Sequence, residues 1–136
     1  MKNTFSKEER LCSKRLIESL FHNGSSFVVY PYRVVIQQHP EALTDYSAQS
    51  IISVSKRRFK HAVDRNAIKR KIRECYRLQK GAQLYPFLEE KSLNLTLALQ
   101  YVGKESLAYS VLTEKMGVVI QRIKNECTKL YLGETN

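Results

Sequence analysis

The 136-residue chain is poor in the residues that build protein-only catalytic centres. Its three cysteines, Cys12, Cys75 and Cys127, are odd in number and too far apart for a Cys-x-x-Cys pair, which argues against a disulfide framework or a zinc site. All three are expected to be small buried hydrophobes. His22, His39 and His61 stand alone, without a second ligand at i+3 or i+4, so neither a protein-held metal nor a nucleophilic catalytic residue is expected. Five glycines are scattered rather than gathered into a phosphate loop, which excludes a stand-alone phosphoryl-transfer enzyme. No apolar run approaches the roughly 18 residues needed to cross a bilayer. Met1-Lys2-Asn3-Thr4 leads into charged residues rather than a signal-peptide core, so a cytoplasmic protein with no membrane partner is expected.

Positive charge, by contrast, is abundant. Lys and Arg number 23 against 13 Asp and Glu, a formal net charge of +10, and a field of that sign favours a polyanionic partner. With 43% hydrophobic and 26% charged residues, the composition is that of a folded protein, and the length suits one domain over residues 1–136. The charge is local. Residues 56–80 hold eleven Lys and Arg against Asp64 and Glu74, a net +9, which leaves +1 for the rest of the chain. Such concentration is the footprint of a phosphate-binding surface.

Periodicity supplies the elements. Residues 7–22 mix apolar and basic positions at helical spacing, including Leu11, Arg15, Ile17, Leu20 and Phe21, with Asn23-Gly24 as a stop. Phe27-Val28-Val29-Tyr30 and Arg33-Val34-Val35-Ile36 read as two short strands or one broken at Pro31. A loop over 39–46 precedes a strand around Ile51-Ile52-Ser53-Val54, and residues 64–80 form the basic helix. Residues 81–92 are expected to be a connection. Leu93, Leu95, Leu97, Leu99 and Tyr101 alternate with polar or small residues as a period-two strand. Leu112, Met116, Val119, Ile120, Ile123, Cys127 and Leu130 form the apolar stripe of a last helix, with Ser110 as its N-cap and Gly133 beyond its end. The order α-β-β-β-α-β-α places the chain in the α+β class, most simply as one sheet with helices mainly on one face.

Turning about 100° per residue from Arg65 separates two faces of the basic helix. Ile68, Ile72, Cys75 and Tyr76 make an apolar stripe, while Arg65, Lys69, Arg73 and Arg77, joined by Asn66 and Arg70, share an exposed face. One sign repeated at successive i+4 steps destabilises an isolated helix, so an anionic partner is expected to offset the repulsion. Guanidinium groups suit bidentate contacts to phosphate, Asn66 suits a ribose hydroxyl or base edge, and Asp64 is placed to cap the helix.

Ser53-Val54-Ser55-Lys56 followed by Ala62-Val63-Asp64-Arg65-Asn66-Ala67-Ile68-Lys69-Arg70-Lys71-Ile72-Arg73-Glu74 resembles the signature of the bacterial ribonuclease P protein subunit. Ala67 departs from it, standing where the family's Arg-Asn-Arg has its last Arg, with Arg70 and Lys71 nearby to compensate in part. Phe21-His22-Asn23-Gly24-Ser25-Ser26 resembles the family's Phe-x-x-Gly-x-Ser turn, so the resemblance covers nearly the whole chain. It implies a ribosomal protein S5 domain 2-like sandwich with a mixed four-stranded sheet and an unusual left-handed βαβ crossover. It also implies that a separate RNA subunit, with Mg2+ held mainly by RNA, removes the 5′ leader of precursor tRNA. The protein itself then carries no catalytic residue: it serves the holoenzyme, an endoribonuclease, by binding the catalytic RNA and the leader. Residues expected at RNA are Lys56, Arg57, Arg58, Arg65, Asn66, Lys69, Arg70, Arg73 and Arg77. Ile17, Phe21, Tyr32 and Val35 are expected to line the leader cleft, where aromatic faces accept unpaired bases. No protein partner is evident. The competing reading is a structural RNA-binding protein of ribosomal type, which would use the same charge. A DNA-binding helix-turn-helix lacks its second short helix ahead of Asp64.

Overall fold

In the computed structural model, which describes residues 5–133, four strands form one sheet in the order β1-β2-β4-β3. Strands β1 (Ser25–Val29) and β2 (Tyr32–His39) pair antiparallel across a two-residue turn, Tyr30-Pro31, whose peptide bond is cis. Pro31 lacks an N–H, so it sits in the turn and leaves both ladders intact. Strand β4 (Asn94–Tyr101) runs antiparallel to β2 and parallel to β3 (Ala48–Val54), which makes the sheet mixed. The parallel pair needs a crossover, and α2 (Ala62–Gln79) provides it.

The main core lies on one face of the sheet. Tyr32, Val34, Ile36, Leu97 and Leu99 meet Ile68, Ile72, Cys75 and Tyr76 of α2 and the inner stripe of α4 (Tyr109–Tyr131). All four predicted apolar positions of α2 are buried. Each contributes roughly 1.5–3 kcal/mol, whereas three like-charged i,i+4 pairs cost only about 0.2–0.5 kcal/mol apiece. Packing therefore holds the basic helix without any anionic partner, contrary to the argument from the isolated helix.

The other face carries a smaller cluster, in which Leu11 and Leu20 pack on Val35 and Ala98 beneath α1 (Lys14–Asn23). Cover on both sides explains why Thr96 and Ala98 are as buried as the leucines flanking them, where simple alternation puts them in solvent.

Five local expectations fail for identifiable reasons. Residues 7–22 are not one helix: a 3-10 turn, Lys7–Glu9, is followed by extended chain, and Leu11 N donates to Ser50 O at 2.9 Å along the free edge of β3. The helix starts only after Ser13, whose Oγ accepts from Leu16 N at 3.3 Å. Residues 81–92 are more than a connection, since α2 runs through a π-helical segment, Lys80–Leu84, into α3 (Tyr85–Glu90). Pro86 lies in the first turn of α3, where no intrahelical N–H is required, and Leu84, Tyr85 and Leu88 are buried. Asp64 sits inside the first turn of α2 behind His61, the N-cap, and acts on the positive helix end rather than as the cap. Likewise Ala108, not Ser110, is the N-cap of α4. Cys75 and Cys127 are buried, but Cys12 is exposed on the extended stretch before α1. The reading of residues 1–4 lies outside the described residues.

Candidate nucleic-acid interface

The loop leaving β3 presents four cations because one aromatic pins it down. Phe59 is half-buried and packs 6.0 Å from the ring of Tyr101, while Lys56, Arg57, Arg58 and Lys60 around it are exposed. Phe59 N bonds Ser55 O at 3.1 Å, and Ser55 Oγ accepts from Arg57 N at 3.2 Å. Arg65, from the first turn of α2, reaches back and donates through Nη1 to the carbonyls of Phe59 (2.8 Å) and Lys60 (2.9 Å). Arg65 is thus a staple for the loop as well as a cation beside it. Arg58 donates to the Val102 carbonyl, tying the loop to the end of β4. Between them lies a depression of about 440 Å³ lined by Ser53, Ser55, Arg57, Arg58, Gln100 and Val102.

Along α2, Asn66, Arg70 and Arg73 are exposed, and Lys69 is half-buried on the same side. Arg77 is different. Its guanidinium forks onto Glu74, with Nε at 3.1 Å from Oε2 and Nη2 on Oε1, and this hydrogen bond lowers the Glu74 carboxyl below its ordinary range. Its charge is spent locally, although the residue flanks the strip. Lys80, which ends the basic segment in sequence, leaves the surface altogether. It is 1% exposed, and its Nζ lies 3.1 Å and 2.9 Å from the two carboxylate oxygens of Glu9 and 4.7 Å from the Tyr85 ring centroid. The basic surface runs from Lys56 to Arg77.

The expected cleft is only partly assembled. Phe21, 43% exposed, projects from the last turns of α1. Ile17 packs one turn earlier against the cluster that contains Val35, and Val35, 2% exposed, is a floor beneath the helix rather than a lining. Tyr32 does not belong there. It is fully buried in the main core, and its hydroxyl donates to Leu112 O at 2.9 Å. The alternation rule carried that signal, because residues three apart in a strand face opposite ways. Arg33 was missed by the same oversight: two residues from Val35, it shares the α1 face and donates to Gln100 Oε1. Val28 pairs with Arg33 across the hairpin and is exposed, as is Tyr30 at its turn.

An α+β domain with a basic loop at one end of its sheet, a basic helix packed on one sheet face, and an open face beside α1, belongs by class to the nucleic-acid-binding proteins. The family model described as Ribonuclease P matches residues 5–124. The chain belongs to the ribonuclease P protein family. It is 43% identical over 100 residues to the ribonuclease P protein component of Porphyromonas gingivalis, covering 74% of this chain and 72% of that one. Its identity to the Chlorobium phaeobacteroides component is 29% over 131 residues, covering 90% and 89%. Among solved structures, the Staphylococcus aureus RNase P protein superposes with a TM-score of 0.66 at 19% identity, over 86% of this chain and 95% of that one. The Thermotoga maritima protein gives 0.65 at 21%, over 84% and 96%. These likenesses establish the shared fold. The protein is a component of the RNase P holoenzyme, a tRNA-processing endoribonuclease, and binds RNA as part of that complex.

Proposed function

We propose that the loop and outer face of α2 bind the catalytic RNA subunit, and that the groove between α1 and the open sheet face holds the single-stranded 5′ leader of precursor tRNA. The observation that carries this reading is the separation of the two surfaces. Lys56, Arg57, Arg58, Asn66, Lys69, Arg70 and Arg73 lie together on the loop and helix, while Phe21 and Arg33 lie on the α1 side of the sheet. The first set suits a structured polyanion, because point charges on a rigid helix match phosphates at fixed spacing. The second offers an aromatic face and a cation on the same side of the sheet, a combination that suits unpaired bases and their backbone.

Catalysis in this reading resides in the RNA. Magnesium supplies the hydrolytic chemistry and is held by RNA phosphates. The described residues do not fit a protein-held ion, since no three His, Cys, Asp or Glu side chains among them converge. No described helix is long and apolar enough to cross a membrane. The site of action proposed, from the RNA substrate, is the cytoplasm.

The deciding experiment reconstitutes the protein with a ribonuclease P RNA and follows cleavage of precursor tRNA at low magnesium. Stimulation is expected. Arg70→Ala is expected to weaken affinity for the catalytic RNA with a salt slope smaller by about 1, and Phe21→Ala to weaken only substrates that carry a leader. Absence of stimulation would overturn the assignment in favour of a purely structural RNA-binding role, and equal loss of RNA-subunit binding by both variants would overturn the two-surface arrangement.

A further inference from the structure

We infer that Arg10 and Arg73 form an additional anchoring site for an RNA phosphodiester backbone, at the outer edge of β3. The inference rests on the RNA-binding reading above and adds to it a site outside the signature segment. The stretch before α1 is held against the free edge of β3 by the Arg10–Ser50 bridge, which includes the bond from Leu11 N to Ser50 O at 2.9 Å, and by a bond from Gln49 Nε2 to Glu8 O at 3.0 Å. Glu9 turns inward to its buried partner Lys80, so Arg10, the next residue, turns outward. A guanidinium on this stretch is consequently placed by the fold rather than left on a loose tail.

Arg10 and Arg73 line one depression of about 190 Å³, together with Phe5, Cys12, Ser50 and Ile52. None of its lining residues is acidic, and neither guanidinium has an ion pair or hydrogen bond among the described residues. The one ring contact is that of the Arg10 guanidinium, 5.9 Å from the Phe5 centroid. Two like charges on one concavity with no carboxylate to separate them call for an anion, and planar guanidinium groups fit a tetrahedral phosphate at two oxygens each. The volume falls below the roughly 300–1,000 Å³ of small-molecule pockets, which favours a phosphate group on a passing strand over an enclosed nucleotide. Location supports the same occupant. Arg73 belongs to the α2 strip, whereas Leu11 and Ile51, which also line the depression, belong to the cluster under α1. The site therefore continues the α2 strip around the β3 edge toward the α1 side of the sheet.

Cys12 provides the test, because it lines the depression and is the exposed one of three cysteines. A thiol-reactive photo-crosslinker is attached to Cys12 of the full chain, which is then irradiated with ribonuclease P RNA alone, with precursor tRNA alone, and with both. Crosslinks to defined nucleotides are expected, and which single-RNA arm gives them identifies the source of the phosphate. In parallel, Arg10→Gln is expected to weaken that RNA about 5–10-fold with a salt slope lower by about 1, and Arg10→Lys to recover part of the loss. The side chain is exposed and its backbone makes the bridge, so the melting temperature should hold. If a variant fails to fold, the crosslink from the unmutated protein still decides. Unchanged affinity and slope for Arg10→Gln, or no crosslink in any arm, overturns the site. Should Arg70→Ala still weaken binding in that case, the RNA-binding surface on α2 stands and only this addition falls.

Discussion

Replacing Lys80 by methionine removes a buried ammonium while keeping most of its aliphatic stem, and so isolates what the ion pair with Glu9 does. Both side chains are 1% exposed and Nζ sits within 3.1 Å of both carboxylate oxygens, so the variant strands a carboxylate in the interior. Breaking one side of a buried pair costs about 3–5 kcal/mol, with the lost contact to the Tyr85 ring included in that range. For a chain of this length the loss corresponds to a fall in melting temperature of about 10–18 °C. Urea unfolding followed by circular dichroism measures it, with an unchanged slope certifying a two-state comparison. Adding Glu9→Gln to Lys80→Met removes the stranded charge and is expected to bring stability back to within about 1–2 kcal/mol of the wild type. Affinity of the still-folded double variant for RNA should be unchanged, with an unchanged salt slope, since Lys80 adds nothing to the outer surface. The reasoning is refuted if Lys80→Met leaves stability intact while lowering RNA affinity, because the ammonium would then be facing the ligand.

Tyr32→Phe deletes the buried bond to Leu112 O and should cost about 1–2 kcal/mol in urea unfolding, with no change in affinity for leader-bearing substrate; selective loss of that affinity would return Tyr32 to the cleft. Gly24→Ala is expected to destabilise by roughly 1–3 kcal/mol, because an added Cβ would lie 2.9 Å from Ile36 O and closer still to Leu20 O, neither of which can give way cheaply; an unchanged denaturation midpoint would contradict that packing. Burial pushes the Tyr76 phenol up to about 12, so the folded chain holds this proton more tightly than the unfolded one. The corresponding stability is intact below about pH 10 and falls by about 1.4 kcal/mol per pH unit between about 10 and 12, with burial of Tyr32 and Tyr85 acting in the same direction. An alkaline titration should therefore show the phenolate absorbance of the buried tyrosines and the loss of circular dichroism rising together; complete tyrosine ionisation in a still-native protein would exclude this.

How much of this was legible beforehand depends on whether a feature is periodic or paired. The apolar stripe of α2 followed from turning 100° per residue, and Ile68, Ile72, Cys75 and Tyr76 are all buried as that projection requires. The same local reading misplaced Lys80. A lysine at the end of a basic run looks like more of the same surface, and only Glu9, 71 positions away, makes it an interior residue. Cys12 was assigned to the interior on residue type, yet it sits where the chain runs extended along β3. Pro86, read as a mark of a connection, opens a short helix because Leu84, Tyr85 and Leu88 have a core to enter.

By itself, the order of residues determined the α+β class, the two faces of the basic helix and the family, because these depend on periodicity and on a contiguous motif. Tertiary structure alone decided which cations of the basic segment are left exposed without a partner close by among the described residues and which are engaged. Arg65 staples a loop, Arg77 grips Glu74 and Lys80 is buried against Glu9, while Arg70 and Arg73 remain exposed. The physical reason is that a cation's availability is set by the acceptors brought within about 3 Å of it, and for Lys80 that acceptor comes from the far end of the chain.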